Sequence, residues 1–156
     1  MATSMGFFQR LLSPLSEEAR LLEDLSVLAG QNQGLVERLK RHAAVCKYPN
    51  IKAGVAAIAE QEAAHVKTLN AILADHNVWA KLPELPLHDG ANNWARLSGD
   101  LEVIGELMAE LRLAAVRWES VNQTIADKLF QLAIEDGERE SELRKLALKC
   151  DALALD

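Results

Sequence analysis

Apolar side chains recur along this chain at alternating steps of about three and four residues, the spacing of one face of an α-helix. The pattern therefore predicts helices rather than strands. Four such segments are separated by breaks that contain proline, glycine or asparagine. We expect an all-α fold with helices over about residues 14–46, 50–77, 94–119 and 123–149.

In the first two predicted helices, the repeating positions form a seam that faces the expected core. The seam of the first helix consists of Leu21, Leu25, Leu28, Asn32, Leu35, Leu39, His42 and Cys46. The seam of the second consists of Ile51, Val55, Ile58, Glu62, His65, Leu69 and Ile72. Polar residues stand inside both seams, and buried polar groups need partners. The pattern therefore indicates an internal polar layer.

The connections between the predicted helices differ in length. The first and third are short, whereas the middle one runs from Val78 to about Asn92 and contains Pro83, Pro86 and Gly90. A helix of about 25 residues is roughly 35–40 Å long. The middle segment can reach roughly 50 Å when extended. It can therefore return along a whole helix, and we predict two helix hairpins joined by a long crossover.

The two halves of the chain resemble each other. Asp24–Gly30 matches Asp100–Glu106 at an offset of 76 residues, with Asp, Leu and Val identical. This similarity favours a bundle of two related hairpins.

The second and fourth helices align best at an offset of 74 residues, because this offset keeps the fourth seam apolar. That seam then reads Ile125, Leu129, Leu132, Asp136, Arg139, Leu143 and Leu146. Glu62 aligns with Asp136 in this register, and His65 aligns with Arg139. An offset of 76 instead aligns Glu62 with Glu138, which remains the alternative.

Composition limits the possible functions. The chain has 156 residues, of which 49% are apolar, enough for one domain with a full core. Its net charge is −6, so neither nucleic acid nor an anionic membrane is an expected partner. No apolar run is long enough to span a bilayer, and Cys46 and Cys150 form no paired motif. These features predict a cytoplasmic protein with reduced thiols.

We expect three parts in the chain: an N-terminal arm over residues 1–12, a single bundle over 13–150 and a tail over 151–156. The arm contains the apolar pair Phe7 and Phe8. It lacks the basic start and the uninterrupted apolar stretch of a signal peptide. We expect it to pack on the bundle or on a second subunit.

The sequence Glu62-Ala63-Ala64-His65, on the second of four long helices, resembles the ferritin-like superfamily of ferritins, bacterioferritins and rubrerythrins. The resemblance implies a ferritin-like four-helix bundle with a long B–C crossover. It also implies a metal centre built from one Glu on each of two helices and Glu-x-x-His on each of the other two. Such centres hold two irons that react with dioxygen or peroxide.

Three of the ligand positions that the resemblance implies hold other residues here, namely Asn32, Met108 and Arg139. An arginine cannot ligate a metal, and it stays protonated. Its charge can instead balance the neighbouring carboxylates. We therefore predict a polar layer in place of the metal centre. Its members are Asn32, Glu62, His65, Asp136 and Arg139.

Two classes of function follow. The first is a non-catalytic bundle without a cofactor, which acts through association as a homo-oligomer (a dimer or larger) or with a protein partner. The second is an iron-binding protein, mono- or dinuclear, with oxidase, ferroxidase or iron-handling activity. In that class Glu62 and His65 are metal ligands, and Asp136 or Glu138 completes the site. The replaced ligands favour the first class and leave enzymatic activity open.

Overall fold

The helices of the protein coincide with the four apolar segments of its sequence. A computed structural model describes residues 16–82 and 90–152. The helices are α1 (Glu17–Val45), α2 (Pro49–Ala74), α3 (Asn93–Trp118) and α4 (Gln123–Ala147). No strand occurs in these two stretches. The prediction of an all-α fold with four helices is confirmed.

Local capping fixes where the helices begin. The Ser16 side chain accepts a hydrogen bond from the backbone N–H of Ala19, so α1 begins about three residues after the predicted start. Asn92 and Asn122 cap α3 and α4 in the same way. α2 begins with Pro49, whose missing N–H would have no partner in the first turn.

The α2 helix ends at Ala74 rather than at the predicted residue 77, because the chain turns left-handed there. Asn77 has a φ of 56°, a conformation that asparagine tolerates better than most residues. Its N–H donates to the carbonyl of Ala74, and the N–H of Val78 donates to the carbonyl of Leu73. Together with the bond from the N–H of His76 to the carbonyl of Leu73, these two bonds satisfy carbonyls at the helix end.

Ion pairs between helices define their directions. Asp24 Oδ2 lies 3.4 Å from Nη1 of Arg117, and Asp100 Oδ1 lies 3.1 Å from Nη2 of Arg38. Since early residues of α1 meet late residues of α3, these two helices are antiparallel. α1 also packs along α2, and α4 packs along α2 and α3. The pairs α1–α4 and α2–α3 are therefore the diagonals of the bundle.

The core follows the predicted seams. Every seam position listed above for the first and second helices is buried in α1 and α2. At one end of the bundle, Trp118 is fully buried, and its ring centroid lies 6.4 Å from that of His76. No helix in the described part of the chain is long and apolar enough to cross a bilayer. The predicted arm lies outside the described residues, as do residues 153–156 of the tail.

Candidate functional site

Four of the five predicted polar-layer residues meet between α2 and α4. Glu62 and His65 lie three residues apart on one face of α2, and Asp136 and Arg139 have the same spacing on α4. The antiparallel packing places Glu62 opposite Arg139, and His65 opposite Asp136. All four side chains are buried, with Glu62 and Asp136 completely inaccessible to solvent.

The guanidinium of Arg139 lies at the centre of this group. Its Nη1 donates to Oε1 of Glu62 at 3.2 Å and to Oδ1 of Asp136 at 3.1 Å. A single nitrogen thus joins one carboxylate from each helix. A metal ion shared by the two helices would be bound by these carboxylates in the same way, but here the positive charge is that of an arginine side chain.

His65 bridges two carboxylates of α4. Its Nδ1 lies 2.8 Å from Oδ1 of Asp136, and its Nε2 lies 2.7 Å from Oε2 of Glu135. Burial lowers the pKa of His65, but the hydrogen bonds to Asp136 and Glu135 outweigh burial and raise the pKa overall. Both partners require donors, which the doubly protonated imidazolium provides.

The imidazolium lies against the guanidinium. Nη1 of Arg139 is 2.8 Å from Nδ1 and 2.6 Å from Nε2 of His65. A protonated ring has no nitrogen that can accept a hydrogen bond, so we interpret these distances as a close approach of two cations. The surrounding carboxylates hold that approach together by their opposite charge.

Glu135 belongs to the group although the seam pattern does not include it. Its side chain is 36% exposed, and its Oε2 accepts from Nη2 of Arg139 at 3.3 Å. The pKa of Glu135 is lowered by hydrogen bonds from Gln131 and from His65. The sequence signal that could have identified it is the Glu-to-Arg spacing of four residues between Glu135 and Arg139, which favours an ion pair on one helix.

Glu62 is the acid that the site perturbs most. Its pKa is raised from 4.5 to about 7, chiefly by burial and then by the charge of Asp136, against the opposing effects of Arg139 and His65. When Glu62 is protonated, two carboxylates face two cations. The layer is then close to neutral without any metal ion.

Three buried acceptor oxygens have no hydrogen-bond donor among the described residues: Oε2 of Glu62, Oδ2 of Asp136 and Oδ1 of Asn32. The amide nitrogen of Asn32 donates to the carbonyl of Leu28 at 2.9 Å, within its own helix. Asn32 is therefore buried as the seam predicts, but its hydrogen bond is local and does not join the other four residues.

The next question is whether the predicted metal ligands lie close enough together to share one ion. Glu62, His65 and Asp136 each offer one ligand atom, and the three atoms lie within 4.8 Å of one another. No other triad of His, Cys, Asp or Glu in the described ranges meets this criterion. Glu138 is exposed on α4 and lies outside the triad. Beside the layer, the sulfur of Met108 on α3 lies close to Gly137 on α4.

A second buried ion cluster joins α1 to α3. Asp100 is fully buried, and its Oδ2 lies 2.5 Å from Nδ1 of His42. Its Oδ1 accepts from Nε of Arg38 at 3.1 Å. The seam pattern did not include Asp100, although it lies three residues after Leu97 and four before Ile104, both buried. That spacing is the signal that could have identified it.

Comparison with known proteins adds no assignment. No protein-family model matches this chain, and no curated protein matches it significantly.

Proposed function

We propose that this protein is a ferritin-like bundle whose metal centre is replaced by a metal-free ion-pair layer, and that it acts through association rather than redox catalysis. One observation carries the proposal. Nη1 of Arg139 contacts Glu62, Asp136 and His65 together, at the place where a shared metal would be held. An arginine at that place supplies the positive charge without any redox chemistry.

The directions of the helices support the ferritin-like connectivity. Because α1 is antiparallel to both α2 and α3, the latter two run in the same direction, and the chain between them must return along the bundle. After α2 the backbone turns back beside α1, where the N–H of Lys81 donates to the carbonyl of Ser26 at 2.9 Å. Residues 83–89 lie outside the described part. We infer the long crossover from these contacts.

One feature supports a role in association. Val27 on α1 and Leu113 and Val116 on α3 are exposed apolar side chains, which mark interaction surfaces when they are grouped. These exposed side chains are consistent with a homo-oligomer and also with binding to a protein partner. Cys46 and Cys150 form no disulfide in the structure, as expected of a protein in the reducing cytoplasm, where we propose to place this one.

Metal binding is the second candidate function. Two observations favour it: the triad of Glu62, His65 and Asp136, and the carboxylate oxygens of that triad that lack a donor. A mononuclear iron site would take these three ligands. However, Arg139 would have to leave the centre, and its buried guanidinium would then lose the carboxylates with which it is paired. The residues present therefore fit a resident metal poorly.

Thermal unfolding with and without metal separates the two candidates. We expect EDTA to leave the Tm of the purified protein unchanged, and added Mn(II), Fe(II) or Zn(II) to leave it unchanged as well, because a ligand stabilises only the state that binds it. A matched measurement on Glu62→Ala shows whether any shift comes from this layer. A metal-induced rise in Tm that disappears in Glu62→Ala would overturn the proposal.

Sedimentation velocity tests the association itself. We expect the chain to sediment as an oligomer, or to do so once its partner is present. A chain that stays monomeric and also binds one metal ion in the layer would replace this proposal with the metal-binding one.

A further inference from the structure

A surface groove lies between α1 and α3, and none of the polar-layer residues lines it. It encloses about 550 Å³, within the range of protein binding sites. Its apolar floor is formed by Val27, Val103 and Ala114, which are partly or largely exposed. The buried side chains of Leu35 and Trp118 lie beneath them. Between Leu21 and Arg38, which both line it, α1 rises about 25 Å at 1.5 Å per residue. The groove therefore runs along about 25 Å of α1, the length of a helix of about 17 residues.

Exposed apolar side chains extend this surface. Val27 lines the groove and is 41% exposed. Leu113 is 44% exposed and lies seven residues after Glu106, hence on nearly the same face of α3. An apolar row of this kind gains free energy when a second apolar surface covers it.

The charges of the groove are unbalanced. Arg117 and Arg38, the two cations of its lining, are already paired with Asp24 and Asp100. Glu106 and Glu110 also line the groove and are exposed one helical turn apart. Neither glutamate has an ion-pair partner among the described residues, so the α3 edge of the groove is anionic.

From these features we propose that the α1–α3 groove binds an amphipathic helix of a protein partner that carries lysine or arginine residues one turn apart. The apolar face of such a helix covers the floor, and its basic residues pair with Glu106 and Glu110. This is the helix-in-groove mode of recognition. The inference rests on the proposed association role and names its surface and partner chemistry.

Charge argues against the other occupants. An anionic small molecule would meet the two unpaired glutamates. A second copy docked through the same face would bring a second anionic edge into the contact, and like charges across an interface disfavour association. A basic helix satisfies both the apolar floor and the anionic edge.

The test uses the full chain and a fluorescein-labelled amphipathic peptide of about 18 leucine and lysine residues, long enough to span the groove. A peptide with glutamate in place of each lysine is the probe control. Fluorescence anisotropy gives the Kd for the wild type, for Glu106→Lys/Glu110→Lys and for Val27→Asp. The matched protein control is Glu138→Lys/Glu142→Lys, an exposed pair with the same spacing on α4. Circular dichroism verifies that each variant is folded.

We expect the lysine peptide to bind and the glutamate peptide not to bind. Two reversed charges at the groove weaken binding about tenfold or more, whereas the α4 control leaves the Kd unchanged. Val27→Asp also weakens it, because it places a charge on the apolar surface. Equal loss in both double variants, or loss in neither, overturns the proposal.

Two further outcomes are distinguishable. If Glu106→Lys/Glu110→Lys changes the sedimentation of the chain alone, a second copy occupies the groove and the partner-helix proposal is wrong. A metal-induced rise in Tm that disappears in Glu62→Ala would overturn the proposed function. The result of the peptide-binding experiment could still be interpreted. If the lysine peptide does not bind and the protein binds no metal, only the proposal that the groove binds a helix is overturned.

Discussion

At the scale of single residues, the polar layer combines an acid of raised pKa with a histidine of raised pKa and an arginine. Glu62 has no solvent contact, and its pKa is raised to about 7 by burial and then by Asp136. The pKa of His65 is raised as well, through its bonds to Asp136 and Glu135. Both groups bind a proton more tightly in the folded chain than in the unfolded one. By linkage, both therefore stabilise the fold most at low pH.

The first prediction concerns the pH dependence of stability. The contribution of Glu62 is complete below pH 4.5, its ordinary pKa, and is lost as the pH rises through about 7. The loss is on the order of 3 kcal/mol in the free energy of unfolding. We expect urea unfolding to show this decline between about pH 5 and pH 8, and Glu62→Gln to remove most of it. Glu60→Gln, an exposed change on the same helix, is the control and should keep the slope. An unchanged slope in Glu62→Gln contradicts the assignment.

The second prediction concerns the internal cation. Arg139→Met keeps much of the side-chain volume but leaves Glu62 and Asp136 without their shared donor. Removing one partner of a buried ion pair costs about 3–5 kcal/mol. Arg144→Met is matched to it, since Arg144 is exposed and, among the described residues, forms an ion pair with Glu140 alone, and should cost less than about 1 kcal/mol. Urea unfolding at pH 7 measures both. Similar losses in the two variants would show that Arg139 is not the centre of the layer.

At the scale of helices, two ion pairs join the antiparallel pair α1–α3 in very different surroundings. Asp24 and Asp100 occupy equivalent places in the internal repeat, and each pairs with an arginine on the other helix. The Asp24 pair is half-exposed at one end. The Asp100 pair is buried and also engages His42. An aspartate–arginine pair therefore occurs in both halves of the repeat. The two pairs differ in burial, and hence in their expected contribution to the free energy of unfolding.

The third prediction compares these two pairs. Asp100→Asn leaves Arg38 and His42 without a carboxylate in a buried place, and we expect a loss of about 3–5 kcal/mol in the free energy of unfolding. Asp24→Asn removes an exposed pair, and we expect a loss of less than about 1 kcal/mol. Chemical denaturation of both variants tests the difference. Equal losses would mean that burial does not set the strength of the α1–α3 contact.

Helical periodicity accounts for what could be predicted from the sequence and for what could not. A spacing of three and four residues identifies the face of a helix that turns inward, so Glu62, Asp136 and Arg139 were placed in the seams in which the structure buries them. Glu135 and Asp100 lie beside the seams. A helix packed against two neighbours buries a face wider than one seam, and its width depends on how the helices cross.

Periodicity also cannot assign partners. Asn32 is buried at the predicted seam position, yet its amide bonds its own helix at Leu28. The partner of His42 is Asp100, on a helix that lies far along the chain. Such pairings follow from the relative height of neighbouring helices, which the seams alone do not determine.

At the scale of the whole molecule, buried and exposed charges have separate roles. The buried clusters pair opposite charges with one another, so most of the formal charge of −6 lies elsewhere in the chain. This distribution suits attraction of a cationic partner toward the α1–α3 groove. Such attraction weakens as salt screens it. In the proposed function, the interior holds the helices in register and the surface provides the association.

Elemental analysis tests the central claim, that Arg139 takes the place of a metal, most directly. The protein is loaded with ferrous iron without oxygen, desalted and analysed, with manganese and zinc in parallel. We expect no stoichiometric metal in the wild type. Arg139→His, which removes the internal cation and supplies a second imidazole, should retain about one ion per chain, and Glu62→Ala in that background should lose it. One or more ions per wild-type chain, lost on Glu62→Ala, would contradict the account.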